Sequence, residues 1–358
     1  MIELVREPQV PRVEIPAPIF AHLRSLTDAG GLYEHAEGTT PRPEHGYCLD
    51  DVARALVVVC REPAAAELDD LRQQYLMFVL TAQEPDGRFH NRRGCDLTWP
   101  DTASDEDCWG RALWGLGTAV ARVPHLRDRA LVGFDLSSMV RSSHPRAMAF
   151  AALGAAEVLA VLPQHRQARA LMTAVAIAVG RPAADEAWPW PQPRLTYANA
   201  VLPEALLAAG AALESPTLVA DGLRLLGWLL DGQIRDGHLS VTPAAGRGPG
   251  ETGPAFDQQP IEVAALADAC ARAYLITGDR RWAEGSELAA AWFAGLNDSA
   301  TPMHDPATGG GFDGLERVGR NENQGAESTL ALLSTLQQAR SMALDARRTT
   351  RRSMKVVG

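Results

Sequence analysis

The sequence predicts an all-α chain folded as an (α/α)6 toroid: six helical hairpins closed into a ring, with long loops gathered on one face. Three observations carry that expectation. Aromatic residues make up only 6% of the 358 residues, alanine and leucine dominate, and alternating β-branched runs are scarce, so helix propensity outweighs strand propensity. Six segments open polar and then become helices rich in small apolar residues. Six more alternate with them and show an ordinary amphipathic stripe.

In chain order, an amphipathic segment near 17–29 precedes the first apolar one, HGYCLDDVARALVVVC from His45. Residues 66–83 precede TASDEDCWGRALWGLGTAVA from Thr102, and 125–140 precede SSHPRAMAFAALGAAEVLAV from Ser142. The stretch 164–180, with Leu171, Val175 and Val179 on one face, precedes LTYANAVLPEALLAAGAAL from Leu195. Residues 215–232, with Leu225, Trp228 and Leu229 aligned, lead to FDQQPIEVAALADACARAYL from Phe256. Residues 280–296 lead to RNENQGAESTLALLSTLQQA from Arg320.

A helix without a polar face must be covered on all sides, so the apolar set forms an inner ring and the amphipathic set an outer one. Links such as Leu162-Pro163-Gln164 and Thr277-Gly278-Asp279 are short turns. Those near 84–104, 181–196, 233–256 and 297–320 are long, and each leads into an inner-helix N-terminus. Long loops on one side of a compact domain are usually functional, so the site is expected at that mouth. One domain spans 1–345, and 346–358 is a basic tail read as a solvated or frayed terminus.

Charge narrows the function. With 34 basic and 44 acidic side chains the net charge is −10, which argues against tracking a phosphate backbone and so against nucleic acid as a partner. Lys355 is the only lysine, which removes Schiff-base and P-loop lysine chemistry from the folded body. Residues 1–10 hold charges and a proline without an apolar signal core, and no apolar run reaches the roughly 20 residues that span a bilayer. Five cysteines without CxxC spacing read as free thiols of a reducing compartment, so a cytoplasmic protein with no membrane partner is expected.

At the starts of the inner segments acids cluster: Asp50 and Asp51, Asp105 to Asp107, Glu204, Asp257 and Glu262, Glu322 and Glu327. Each alone is explained by the helix dipole and by capping. Together they converge on one mouth beside aromatics (Tyr47, Trp99, Trp109, Trp188, Trp190, Tyr197) and amides (Asn199, Gln258, Gln259, Asn323, Gln324). Carboxylates and amides hydrogen-bond vicinal hydroxyls, and flat rings stack on pyranose faces, so the set reads as a sugar site. Trp114 at helical spacing reads as core, whereas Trp188-Pro189-Trp190-Pro191 lies in a loop and reads as ligand contact.

Glycoside hydrolysis needs a general acid and a base or nucleophile. Glu262, one turn into an inner helix with apolar residues behind it, is the expected acid. The Asp50/Asp51 pair is the expected base, with Asp107 and Glu327 in reserve. The nine histidines lack i, i+4 ligand spacing, so neither a metal nor another cofactor is expected. There is no G-x-S-x-G, G-x-x-x-x-G-K or H-E-x-x-H pattern.

The openings His45–Arg54, Phe256–Glu262 and Asn321–Ser328 resemble the six-hairpin glycosidase superfamily, over about Pro16 to Arg340. More narrowly, the arginine-rich, lysine-poor chain is similar to the mycobacterial methylmannose polysaccharide hydrolases. That resemblance implies an endo-acting α-(1→4)-mannosidase with an acid/base carboxylate pair and an intracellular polysaccharide substrate. The readings set against an inverting hydrolase are a sugar epimerase on the same toroid and a catalytically silent carbohydrate-binding domain of a glycosyltransferase system. Self-association into oligomers is compatible with all three.

Overall fold

The structure, a computed structural model, describes residues 15–63 and 66–356, with side chains as far as 344. Twelve helices follow one another along the described chain. Their bounds are α1 Ala21–Ser25, α2 Leu49–Arg61, α3 Asp69–Thr81, α4 Asp107–Arg122, α5 Arg127–Ser137 and α6 Pro145–Val161. The second half holds α7 Arg166–Val179, α8 Val201–Ala212, α9 Pro216–Gln233, α10 Pro260–Thr277, α11 Arg280–Phe293 and α12 Ala326–Val356.

The even-numbered helices pack side by side in order, α2 through α12, and α12 returns to α2, which closes the inner ring. Each odd helix from α3 to α11 packs on the inner helix before it, and all but α5 also pack on the one after. The two rings are the apolar and amphipathic sets read from the sequence: α4, α6, α8 and α10 are buried over nearly their whole length. All inner N-termini stand at the long-loop end. There the chain forms only two-residue antiparallel ladders, such as Tyr47–Cys48 against Arg92–Arg93 and Gly314–Leu315 against Arg320–Asn321.

The first outer helix departs from expectation. Instead of 17–29, helix is confined to Ala21–Ser25, and Thr27–Asp28 pairs with Gly31–Leu32 as a tight hairpin. The Asp28 carboxylate accepts from the Gly30 and Gly31 amides at 2.8 and 3.2 Å, and Gly31 takes φ +151°. That turn competes with helix for the same backbone donors. At the other end, α12 carries the backbone of the 346–358 segment as far as Val356. The side chains of the expected basic tail lie outside the described residues.

Inner helices α4 and α6 touch backbone to backbone. A methyl at Gly154 would sit 2.1 Å from the Leu113 carbonyl oxygen, and one at Gly117 would sit 2.1 Å from that of Gly154. Substituting Gly154→Ala should therefore force the pair apart and cost about 3 kcal/mol. A lowered urea midpoint with an unchanged m-value is the expected reading.

Candidate functional site

Most inner helices bring a charged or amide side chain to the mouth, and these residues form one connected network. On α2, Asp50 pairs with Arg111 of α4 at 2.8 Å, while Asp51 pairs with its own-helix neighbour Arg54 at 2.6 Å. Arg54 also holds Glu327 of α12 at 2.7 Å. Arg111 reaches Asp107 at 3.3 Å, one turn back on α4, and the Tyr197 hydroxyl donates to Asp107 at 2.9 Å. Arg146, on α6, donates to the Tyr197 carbonyl at 2.7 Å and to the Asn199 side-chain oxygen at 3.3 Å. The Asn199 amide then donates to Glu262 Oε2 at 2.8 Å. A continuous polar chain thus runs from Asp50 on α2 to Glu262 on α10.

The two ends of that chain differ in acidity. Burial pushes Glu262 up to about 7, and the hydrogen bonds from Asn199 together with the Arg146 charge pull back only part of that shift. Its Oε1 is enclosed and has no hydrogen-bond partner. Burial also opposes ionisation of Asp50, but the Arg111 and Arg54 charges and the Asn91 amide outweigh it and hold the carboxyl below its usual value. Asp51 is pushed up to about 7 by burial despite Arg54. Glu327 is buried yet lowered by Arg54 and Arg111.

Two spaces adjoin the network. An open groove of about 440 Å³ is lined by Asp50, Asn91, Asp101, Ser104, Glu106 and Asp107. Behind it, a cavity along the barrel axis opens between Arg54, Arg111 and Glu327. Asp50 lines the groove, whereas neither Asp51 nor Glu262 lines the groove or the cavity, so the geometry separates two aspartates that the sequence leaves equivalent and places Glu262 behind the surface of both spaces.

Several expected sugar contacts lie elsewhere. Tyr47 is 3% exposed, stacks on Tyr33 and donates to Asp28 at 2.9 Å, so it braces the Asp28 turn. Trp109 is fully buried and donates to the Ser137 carbonyl. Trp190 is 2% exposed and stacks on Trp228, and Trp188 meets the same ring edge-on. The rigid Trp-Pro-Trp-Pro loop is thus a plug against the outer helix α9, not a platform. Trp99 packs on Phe78 and His90 at the outer side of its loop.

Among the amides, Gln258 is fully buried and ties Val241, Trp292 and Asp298 together, while the Asn323 side chain accepts from Gly38. Gln324 is 4% exposed, and its side-chain oxygen is pressed against Gly310. Gln259 stands at the N-cap of α10, and Asp257 is exposed just before it. Asp107, Tyr197, Asn199 and Glu327 join the network at the mouth, and Trp114 is buried and also lines the axial cavity.

Three residues went unassigned in the sequence: Arg54, Arg111 and Arg146. For Arg54 and Arg111 the signal was present: an arginine inside an otherwise apolar helix, three or four residues after an acid, is buried only if paired. Arg146 follows Ser142 and Ser143 and carries no such signal. A potential cation cluster, Glu34, Cys48 and Asp51 with ligand atoms within 4.8 Å, already has Asp51 paired to Arg54 and Glu34 paired to Arg92.

No protein-family model and no curated protein matches the chain by sequence. Its structure is similar to a sugar epimerase from a ruminal bacterium, with TM-score 0.70 at 11% identity over 91% of this chain and 97% of that one. It is similar to the cellobiose 2-epimerase of Bacillus thermoamylovorans, at 0.65 and 12% over 90% and 96%. A third likeness is to an α-1,6-mannanase of Salegentibacter holding α-1,6-mannotriose, at 0.63 and 9% over 90% and 96%. That protein is an inactive variant with two adjacent aspartates changed to asparagine. These neighbours belong to the six-hairpin glycosidase superfamily, and the likeness establishes the toroid fold for this chain. No helix among the described residues is long and apolar enough to cross a membrane.

Proposed function

We propose that the chain is an inverting glycoside hydrolase acting within α-(1→4)-linked mannose polysaccharides, plain or methylated. The observation that carries this reading is the pairing of an ionised Asp50 at the groove with a buried Glu262 raised to about 7. Near neutrality Glu262 can donate a proton to a leaving oxygen while Asp50 activates water. The two project from α2 and α10, which are not adjacent in the inner ring because α12 stands between them. That placement favours the wider carboxyl spacing of inversion, roughly 6.5–9.5 Å, over the ~5 Å of a retaining pair.

The likeness to a mannanase holding mannotriose supports a mannoside substrate. The open groove supports binding along a chain and hence internal cleavage. An epimerase needs a base that returns a proton to carbon. The groove and cavity linings offer carboxylates and arginines and include no histidine, which favours the hydrolase over that rival.

The test is product profiling on α-(1→4)-mannooligosaccharides, plain and 3-O-methylated, with the anomer of the fresh reducing end followed by NMR. Internal cleavage giving the β-anomer is expected. Exchange of configuration at C2 without cleavage would move the assignment to the epimerase reading. Saturable binding without turnover would move it to the binding-domain reading.

A further inference from the structure

Behind the acids, the barrel axis holds a cavity of about 50 Å³. Its walls are aliphatic, from Val58, Leu153, Val201, Ile261 and Leu330, with Trp114 stacked on Phe150. Arg61, Asp268 and Ser334 lie six or seven residues further along α2, α10 and α12 than Arg54, Glu262 and Glu327. At the helical rise of 1.5 Å per residue, the cavity is about 10 Å deep. Two ion pairs, Arg61–Asp268 at 2.7 Å and Arg272–Glu204 at 2.9 Å, close its far end.

Those floor groups satisfy one another: Asp268 accepts from Arg61, Gln338 and Ser334. A pyranose ring pushed down the axis would strand its hydroxyls against aliphatic walls, which is costly. A hydrocarbon chain would lose nothing there and would gain from leaving water. The carboxylates at the mouth are already held by arginines, Asp50 and Asp107 by Arg111 and Asp51 and Glu327 by Arg54, so an uncharged head group fits there best.

We propose that the axial cavity is a subsite for an alkyl or short acyl chain carried by the sugar bound at the mouth. The inference rests on the hydrolase reading only for where the sugar sits.

The test is calorimetric binding of n-alkyl α-D-mannopyranosides from methyl to dodecyl, with n-alkan-1-ols and mannotriose in parallel, to the full chain carrying Glu262→Gln. Affinity should rise up to about fourfold per methylene and level off once the chain reaches the floor. The alkanols should show the same dependence on length. Ala264→Phe and Ala265→Phe, each filling the cavity from α10, should flatten both series and leave mannotriose binding intact. Circular dichroism of each variant checks its fold, and either one alone decides the point. A flat series with the unfilled cavity overturns the inference, and the hydrolase reading stands if mannotriose still binds. A rising series with neither mannotriose binding nor wild-type turnover supports the cavity and removes the hydrolase reading.

Discussion

Glu262→Gln is expected to lower kcat about 10³-fold while substrate dissociation constants move only a few-fold. Glutamine keeps the volume of the side chain and still offers an oxygen to the Asn199 amide, now at 2.8 Å from Oε2. What it cannot do is transfer a proton. In the wild type, activity should fall as pH rises through about 7, where Glu262 loses its proton. That alkaline limb should vanish in the variant's residual activity. The same carboxyl is also a stability group. Its folded pKa lies above the ordinary 4.5, so between about 4.5 and 7 the native state holds a proton that the unfolded state has released. Stability from this group is complete below that window and is lost as pH rises through it. The variant should therefore gain in Tm relative to wild type on going from pH 5 to pH 8. An unchanged alkaline limb would assign the acid to another residue.

The fold was legible because a closed double ring leaves a strong mark. Inner helices such as α6 and α8 have no polar face, and a chain that alternates them with amphipathic helices has few other ways to bury both. The first outer helix was misjudged because local turn chemistry at Asp28 and Gly31 overrides a weak amphipathic stripe. At the site, the position of the acids in first turns was legible, and so was the burial of Glu262 from the apolar helix behind it. The aromatics were not. An indole in a loop looks the same in sequence whether it faces a groove or, like Trp190, closes a gap against Trp228. The arginines were passed over for the opposite reason. In an arginine-rich chain one more arginine draws no notice, although Arg54 and Arg111 hold Asp50 and Glu327 below their usual values.

Asp50→Asn and Asp51→Asn should separate sharply, although the residues adjoin. Asp50 is the ionised member at the groove, held by Arg111 at 2.8 Å and the Asn91 amide at 3.1 Å. Removing its charge removes the base, so kcat/KM should fall about 10³-fold, and the acid limb of the pH profile should go with it. Asp51 is enclosed, and its pKa near 7 means it is partly protonated at neutrality already. Asparagine there preserves the acceptor for Arg54 and leaves the Arg54–Glu327 pair intact. Its rate loss should stay within about tenfold, the scale of a residue that positions others without touching the reacting atoms. A complete loss in Asp51→Asn with activity kept in Asp50→Asn would exchange the two roles. Because Arg54 and Arg111 tie these aspartates to Glu327 and Asp107, the double variant should not show the sum of the two losses. Coupling of this kind is what a shared network predicts, and two independent carboxylates would not produce it.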